Sequence, residues 1–214
     1  MEQNEHVEAL NDIRKMMQRS SRFLSLSGLS GVFAGLYALG GAYIAHLWQK
    51  EFLVRYFQFS YPDSRGALEL EYFVKFGALA VLVLSLSIAT GLFFSARKAK
   101  KAGQKLFDYG AKLLFANLAV PLLAGGAFCL VLIMQNEILL VAPALLIFYG
   151  ISLMAAGKYT LDEVRYLGIC EILLGLINGF FFLREGLLFW AIGFGVLHIV
   201  YGLVMWNKYD RVKK

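Results

Sequence analysis

Glu171 and His198 stand inside the last two long apolar runs of this 214-residue chain, a carboxylic acid and an imidazole with almost no other ionisable company. Such a pair can exchange a proton or form a buried ion pair, because imidazole changes charge nearest neutral pH. Gly168, Glu171, Gly175 and Asn178 recur at helical steps, which puts all four on one face. Gly195, His198 and Gly202 share a face by the same rule. The turn between the two runs centres on Arg184-Glu185, and Glu171 and His198 are equally far from it. In an antiparallel hairpin they therefore lie at one depth. The expectation is a tight interface between the two stripes, with Glu171 bonded to or ion-paired with His198 and Asn178 further along the seam. Two readings follow: polar glue between spans, or a proton-responsive or ligand-binding site. Under the first, Glu171→Gln and His198→Ala both cost stability.

Asn117 completes the candidate cluster. Pro121 lacks the N–H that would bond the Asn117 carbonyl, so a side-chain and a backbone acceptor could face one cavity. Apolar helices also tolerate proline for no functional reason. His46 belongs to the opposite depth from His198, and Cys129 and Cys170 fall in separate runs at different depths. No metal site, haem, disulfide or other cofactor is expected from them. Nucleotide-binding, hydrolase-nucleophile and zinc-protease motifs are absent from the sequence, so no catalytic residue is assigned and no enzyme is expected.

The elements that must position these residues are runs with almost no charge. Fifty-nine per cent of the chain is apolar, and the mean hydropathy is +0.62. A hydrocarbon layer of about 30 Å needs roughly 20 apolar residues per helix. Residues 24–48, 76–96, 113–136, 138–157, 166–183 and 186–207 meet that need. None alternates as barrel strands do. The fold class expected is all-α: a polytopic membrane protein with a six-transmembrane-helix bundle.

The net charge of +6 raises nucleic acid as a partner, and its distribution rejects it. Lys and Arg number 16 on the side of both termini and 5 on the other. The positive-inside rule then places both termini in the cytoplasm. The first apolar run is too long for a signal peptide and reads as a retained span.

Between the runs, residues 1–23 form a basic arm with an apolar stripe of Val7, Leu10, Ile13 and Met17, suited to a membrane surface. Residues 49–75 are aromatic-rich with a Pro62-Asp63 turn signal, and are expected as a loop or short helix flat on the outer surface. A polybasic turn runs from Arg97 to Lys105. Gln135-Asn136-Glu137 should turn a tight hairpin, and Thr160-Leu161-Asp162-Glu163 has the pattern of a capping box. Residues 208–214 form a basic tail. Arg22-Phe23-Leu24 and Arg165-Tyr166-Leu167 both precede glycine-studded stretches, compatible with a three-plus-three repeat or with shared composition.

The stretch 159–209, YTLDEVRYLGICEILLGLINGFFFLREGLLFWAIGFGVLHIVYGLVMWNKY, resembles uncharacterised six-span bacterial inner-membrane proteins. Its repeated small-residue hairpins also resemble the HdeD-like acid-resistance membrane family. The resemblance covers the last third best and implies a compact bundle without a cofactor and an envelope-stress role. The function expected is a non-enzymatic envelope, sensory or interaction protein. The alternative is a small-solute or proton-coupled transporter or channel using the polar cluster. The partners this pattern allows are the lipid bilayer, a homodimer mate, and a cytoplasmic protein bound through the arm or the 97–105 turn.

Overall fold

In the computed structural model, residues 22–58, 62–103 and 107–211 are described. The N-terminal arm before Arg22, Lys105 of the polybasic turn and the last three residues of the tail lie outside them. Each apolar run becomes a helix: α1 Gly28–Gln58, α2 Pro62–Lys101, α3 Tyr109–Met134, α4 Ile138–Tyr159, α5 Glu163–Phe181 and α6 Leu183–Asp210. All six are long and apolar enough to cross a membrane, and among the described residues there is no strand. That length and composition point to a multi-pass membrane protein. Short 3₁₀ turns begin and end α4 and open α6.

The expectation for residues 49–75 is corrected. Residues 49–58 and 62–75 are not a loop or a short surface helix but the far ends of two long helices. At 31 residues α1 is about 46 Å long, and at 40 residues α2 is about 60 Å, both beyond a hydrocarbon layer of about 30 Å. Residues 49–58 contain neither glycine nor proline, so nothing stops α1, and Pro62 is the opening residue of α2, where its missing N–H is harmless. The aromatic residues zip the pair together. Trp48 packs edge-on to Phe76, Phe52 meets Tyr72 with ring centres 5.1 Å apart, and Phe33 stacks on Phe94. Around the buried Tyr72, Arg55 and Lys75 both reach Glu71, at 3.3 and 2.6 Å.

Glycines set two further close pairs. A Cβ at Gly35 would stand 2.5 Å from the Gly195 carbonyl oxygen, and one at Gly202 2.5 Å from the Val32 amide nitrogen, so α1 and α6 touch backbone to backbone. A Cβ at Gly150 would lie 2.5 Å from the Gly168 carbonyl oxygen, and α4 and α5 touch in the same way. The expected α5–α6 glycine interface is therefore corrected. The stripe of Gly168 and Gly175 closes on α4, while that of Gly195 and Gly202 closes on α1. Small residues permit close approach, but they do not choose which neighbour approaches.

The α3–α4 hairpin turns where expected, with Asn136 at φ 60°, a left-handed conformation that asparagine tolerates. The capping box does not form. Helix α5 starts at Glu163 itself, so that residue is in the first helical position rather than the third. Thr160 instead donates its hydroxyl to the Phe23 carbonyl oxygen at 2.8 Å, and Glu163 accepts from Lys208 and Tyr209 at 2.5 and 2.9 Å. Tertiary donors and acceptors have displaced the local ones. Arg22-Phe23-Leu24 precedes α1, whereas Arg165-Tyr166-Leu167 lies within α5, so the two triplets occupy unlike places.

Candidate functional site

Glu171 projects from the middle of α5 and is completely buried. Gly193 on α6 makes room for it: a Cβ there would stand 2.5 Å from Glu171 Oε2 and 2.5 Å from Leu146 Cδ2. Beside it, His198 Nδ1 lies 3.6 Å from Glu171 Oε1. The depth argument thus brings the acid and the imidazole together as expected, although without a hydrogen bond.

The imidazole is occupied elsewhere. Nδ1 is 2.9 Å from the Gly193 carbonyl oxygen, and Nε2 is 2.8 Å from the Tyr149 hydroxyl. A carbonyl oxygen only accepts, so Nδ1 carries the hydrogen and donates it. In the neutral ring Nε2 then accepts from Tyr149. The ring also clusters with two aromatic rings, Tyr149 at 26° and Phe194 at 20° to its plane, whose own centres lie 5.0 Å apart. Both nitrogens are satisfied.

Glu171 is not. Neither of its oxygens has a hydrogen-bond partner. Burying an unpaired charge costs several kcal/mol even after relaxation, and leaving a buried acceptor bare costs about 1–3 kcal/mol. The site therefore holds a carboxyl group at a net cost, just beyond hydrogen-bonding distance of a donor already in use.

Gly193 belongs to a seven-residue π-helical stretch of α6, Ala191–Leu197. Such stretches are rare and recur at functional sites, where the ladder is widened and a side chain can take a backbone carbonyl. Here that side chain is His198.

The other two candidates lie apart. Asn178 shares the Glu171 face and is fully buried, about 10 Å further along α5. Its Nδ2 donates to the Phe182 carbonyl oxygen at 2.6 Å, closing the end of α5, while Oδ1 has no partner. Asn117 donates to the Leu113 carbonyl oxygen of its own helix at 2.8 Å. It stays outside the cluster, and Pro121 lies within an unbroken α3.

Tyr149 was the residue missed. It sits in a span without charge and looks like an ordinary aromatic. The same depth argument could have found it, because Tyr149 and Glu171 are equally distant from Thr160 in the α4–α5 turn. Gly193 carried no signal, since its spacing falls off the Gly195–Gly202 face.

Among the described residues, clefts on the surface include two of note. One of about 320 Å³ lies between α3, α4 and α5, walled by apolar side chains around Phe128, Phe148 and Leu176. The other, about 480 Å³, opens near Phe52, Glu69 and Asn136. Neither wall includes Glu171, His198, Asn178 or Asn117. Among the described residues no group of three or more His, Cys, Asp or Glu could hold a metal. No protein-family model, curated protein or solved structure matches this chain.

Proposed function

We propose that this chain is a non-enzymatic sensory or interaction protein of the bacterial inner membrane, with both termini in the cytoplasm. Support comes from one observation above the rest: Glu171 and His198 form a polar pair sealed from both clefts, with the acid left without a donor. A buried seam suits a conformational signal better than a solute path. The charge bias toward the terminal side supports the orientation, and the envelope-stress role of the HdeD-like family is compatible with it. The rival, a proton-coupled or small-solute transporter, needs water at Glu171.

One labelling experiment tests the reading. Glu171→Cys and Gly103→Cys are made separately in a background with Cys129 and Cys170 replaced, and intact cells are treated with a membrane-impermeant maleimide. Position 171 is expected to stay unlabelled before and after the membrane is opened, and position 103 to label only after opening. Labelling at 171 would favour the transporter. Labelling at 103 in intact cells would reverse the orientation.

A further inference from the structure

His198 has one Nδ1 hydrogen and two acceptors within reach. The Gly193 carbonyl oxygen holds it at 2.9 Å, and Glu171 Oε1 waits at 3.6 Å. The contested carbonyl lies inside the π-helical stretch, so the outcome bears on the shape of α6. Below His198 the helix ends in a second π-helical stretch, Trp206–Asp210. From there Asp210 Oδ2 accepts from the Gly28 amide at 2.7 Å and the Ser27 hydroxyl at 3.0 Å, while Oδ1 pairs with Lys98 at 2.6 Å. Asp210 thus caps the start of α1 from another helix.

We propose that α6 is a two-position helix in which Glu171 competes with the Gly193 carbonyl for the His198 hydrogen, the winner deciding whether Asp210 holds α1. The proposal deepens the sensory reading above and rests on it. With Glu171 carrying its own proton, His198 stays on Gly193 and the wide turn persists, as in this structure. When Glu171 releases that proton to water during an opening of the seam, its carboxylate takes the His198 hydrogen. A hydrogen bond to an ionised acceptor is roughly twice as strong as a neutral one. The freed Gly193 carbonyl then accepts a backbone amide, and the stretch tightens to α-helical geometry. A π-helical turn is wider and shorter than an α-helical one, so tightening it pushes the segment from His198 onward along the helix axis while the ring stays on Glu171. Asp210 is carried away from Gly28, and the start of α1 loses its cap.

The ionisable groups facing the pair are few. Tyr149 comes from α4 and Tyr201 from α6, whose buried hydroxyl has no partner. Among the described residues, α1 sets Gly31 against the His198 carbonyl and Gly35 and Leu39 against Gly195, and the Glu171 face of α5 carries Gly168, Gly175 and Asn178. No fixed charge among them forces the choice either way.

The test is hydrogen–deuterium exchange of the full chain in lipid nanodiscs, followed at the amides of residues 28–31 from acid to alkaline pH. Rates are corrected for the intrinsic pH dependence of exchange. In the parent protein the corrected rate is expected to rise with pH, and Asp210→Asn should show the fast rate throughout. Glu171→Gln should lose the pH dependence and stay slow, and Glu171→Met, which carries no polar group, should do the same if the amide variant fails to fold. A flat profile in the parent, or a slope retained in both Glu171 variants, overturns the switch. A reversed orientation in the labelling experiment leaves the exchange result readable and removes only the cytoplasmic readout.

Discussion

Lys98 Nζ lies 2.6 Å from Asp210 Oδ1, tying the end of α2 to the end of α6. The same ammonium donates to the Leu26 carbonyl oxygen at 2.8 Å, and the other Asp210 oxygen caps α1. Three helix ends therefore meet at one half-buried ion pair. The neighbouring Lys208–Glu163 and Arg22–Asp162 pairs join the same face, and the Phe23 amide donates to the Tyr159 carbonyl oxygen at 2.7 Å.

Asp210→Ala removes the α1 cap and leaves Lys98 without its carboxylate. Loss of an N-cap costs about 1 kcal/mol, and stranding a partly buried partner adds about 1–3 kcal/mol. The unfolding midpoint in detergent is expected to fall accordingly. The double variant Lys98→Met/Asp210→Ala should lose less than the two single losses combined, because the stranded charge is gone. Additive losses would show that the pair does not couple.

Stability should separate Glu171 from His198. His198→Ala opens a cavity and strands both the Gly193 carbonyl and the Tyr149 hydroxyl, a loss of about 2–4 kcal/mol. Glu171→Met removes a buried acid that no donor satisfies and keeps a similar volume. It should leave stability unchanged or raise it by about 1–3 kcal/mol. The glue reading requires both variants to melt lower. Tryptophan fluorescence during denaturant unfolding distinguishes the two outcomes, and a lower midpoint for Glu171→Met would mean that the carboxyl is a structural bond after all.

The membrane-length runs, the Asn136 turn and the meeting of Glu171 with His198 were legible because each depends on distance along one chain or across one hairpin. What was hidden depends on choice of partner. Gly168 and Gly195 each announce a close approach, yet only the packed bundle shows that α4 takes the first and α1 the second. Thr160 and Glu163 have the right spacing for a local cap, but Phe23 and Lys208 arrive from distant parts of the chain and outbid it. Residues 49–75 were misjudged because hydropathy measures fitness for lipid, while helix continuation depends on the absence of breakers. Tyr149 was overlooked because a hydroxyl on an aromatic ring adds little to a composition that already reads as apolar.

Glycines of α1 and α2 should behave oppositely. At Gly35 a methyl group meets the Gly195 carbonyl oxygen and Ile199, so Gly35→Ala forces α1 off α6 and should cost about 1–3 kcal/mol. At Gly91 nothing lies within 4 Å of the added atom, and the helix gains from reduced backbone freedom. Gly91→Ala should stabilise by about 0.5–1 kcal/mol. Paired thermal melts in one detergent decide it: equal shifts of the same sign would mean that the α1–α6 contact is looser than its backbone spacing implies.

The helical hairpin beyond residue 48 makes a register that can be trapped covalently. Phe52 faces Tyr72, and Trp48 faces Phe76, so the two contacts advance by four residues in step along both helices. In a background without Cys129 and Cys170, cysteines at 52 and 72 should oxidise to an intramolecular disulfide, visible as a faster band on a non-reducing gel. Moving one partner two residues, to position 74, carries it about 200° around α2 and should abolish the product. A loop lying flat on a surface would sample both pairings, so equal yields from 52/72 and 52/74 would argue against two continuous helices. Val74 already points outward and is exposed, which makes that control free of packing damage.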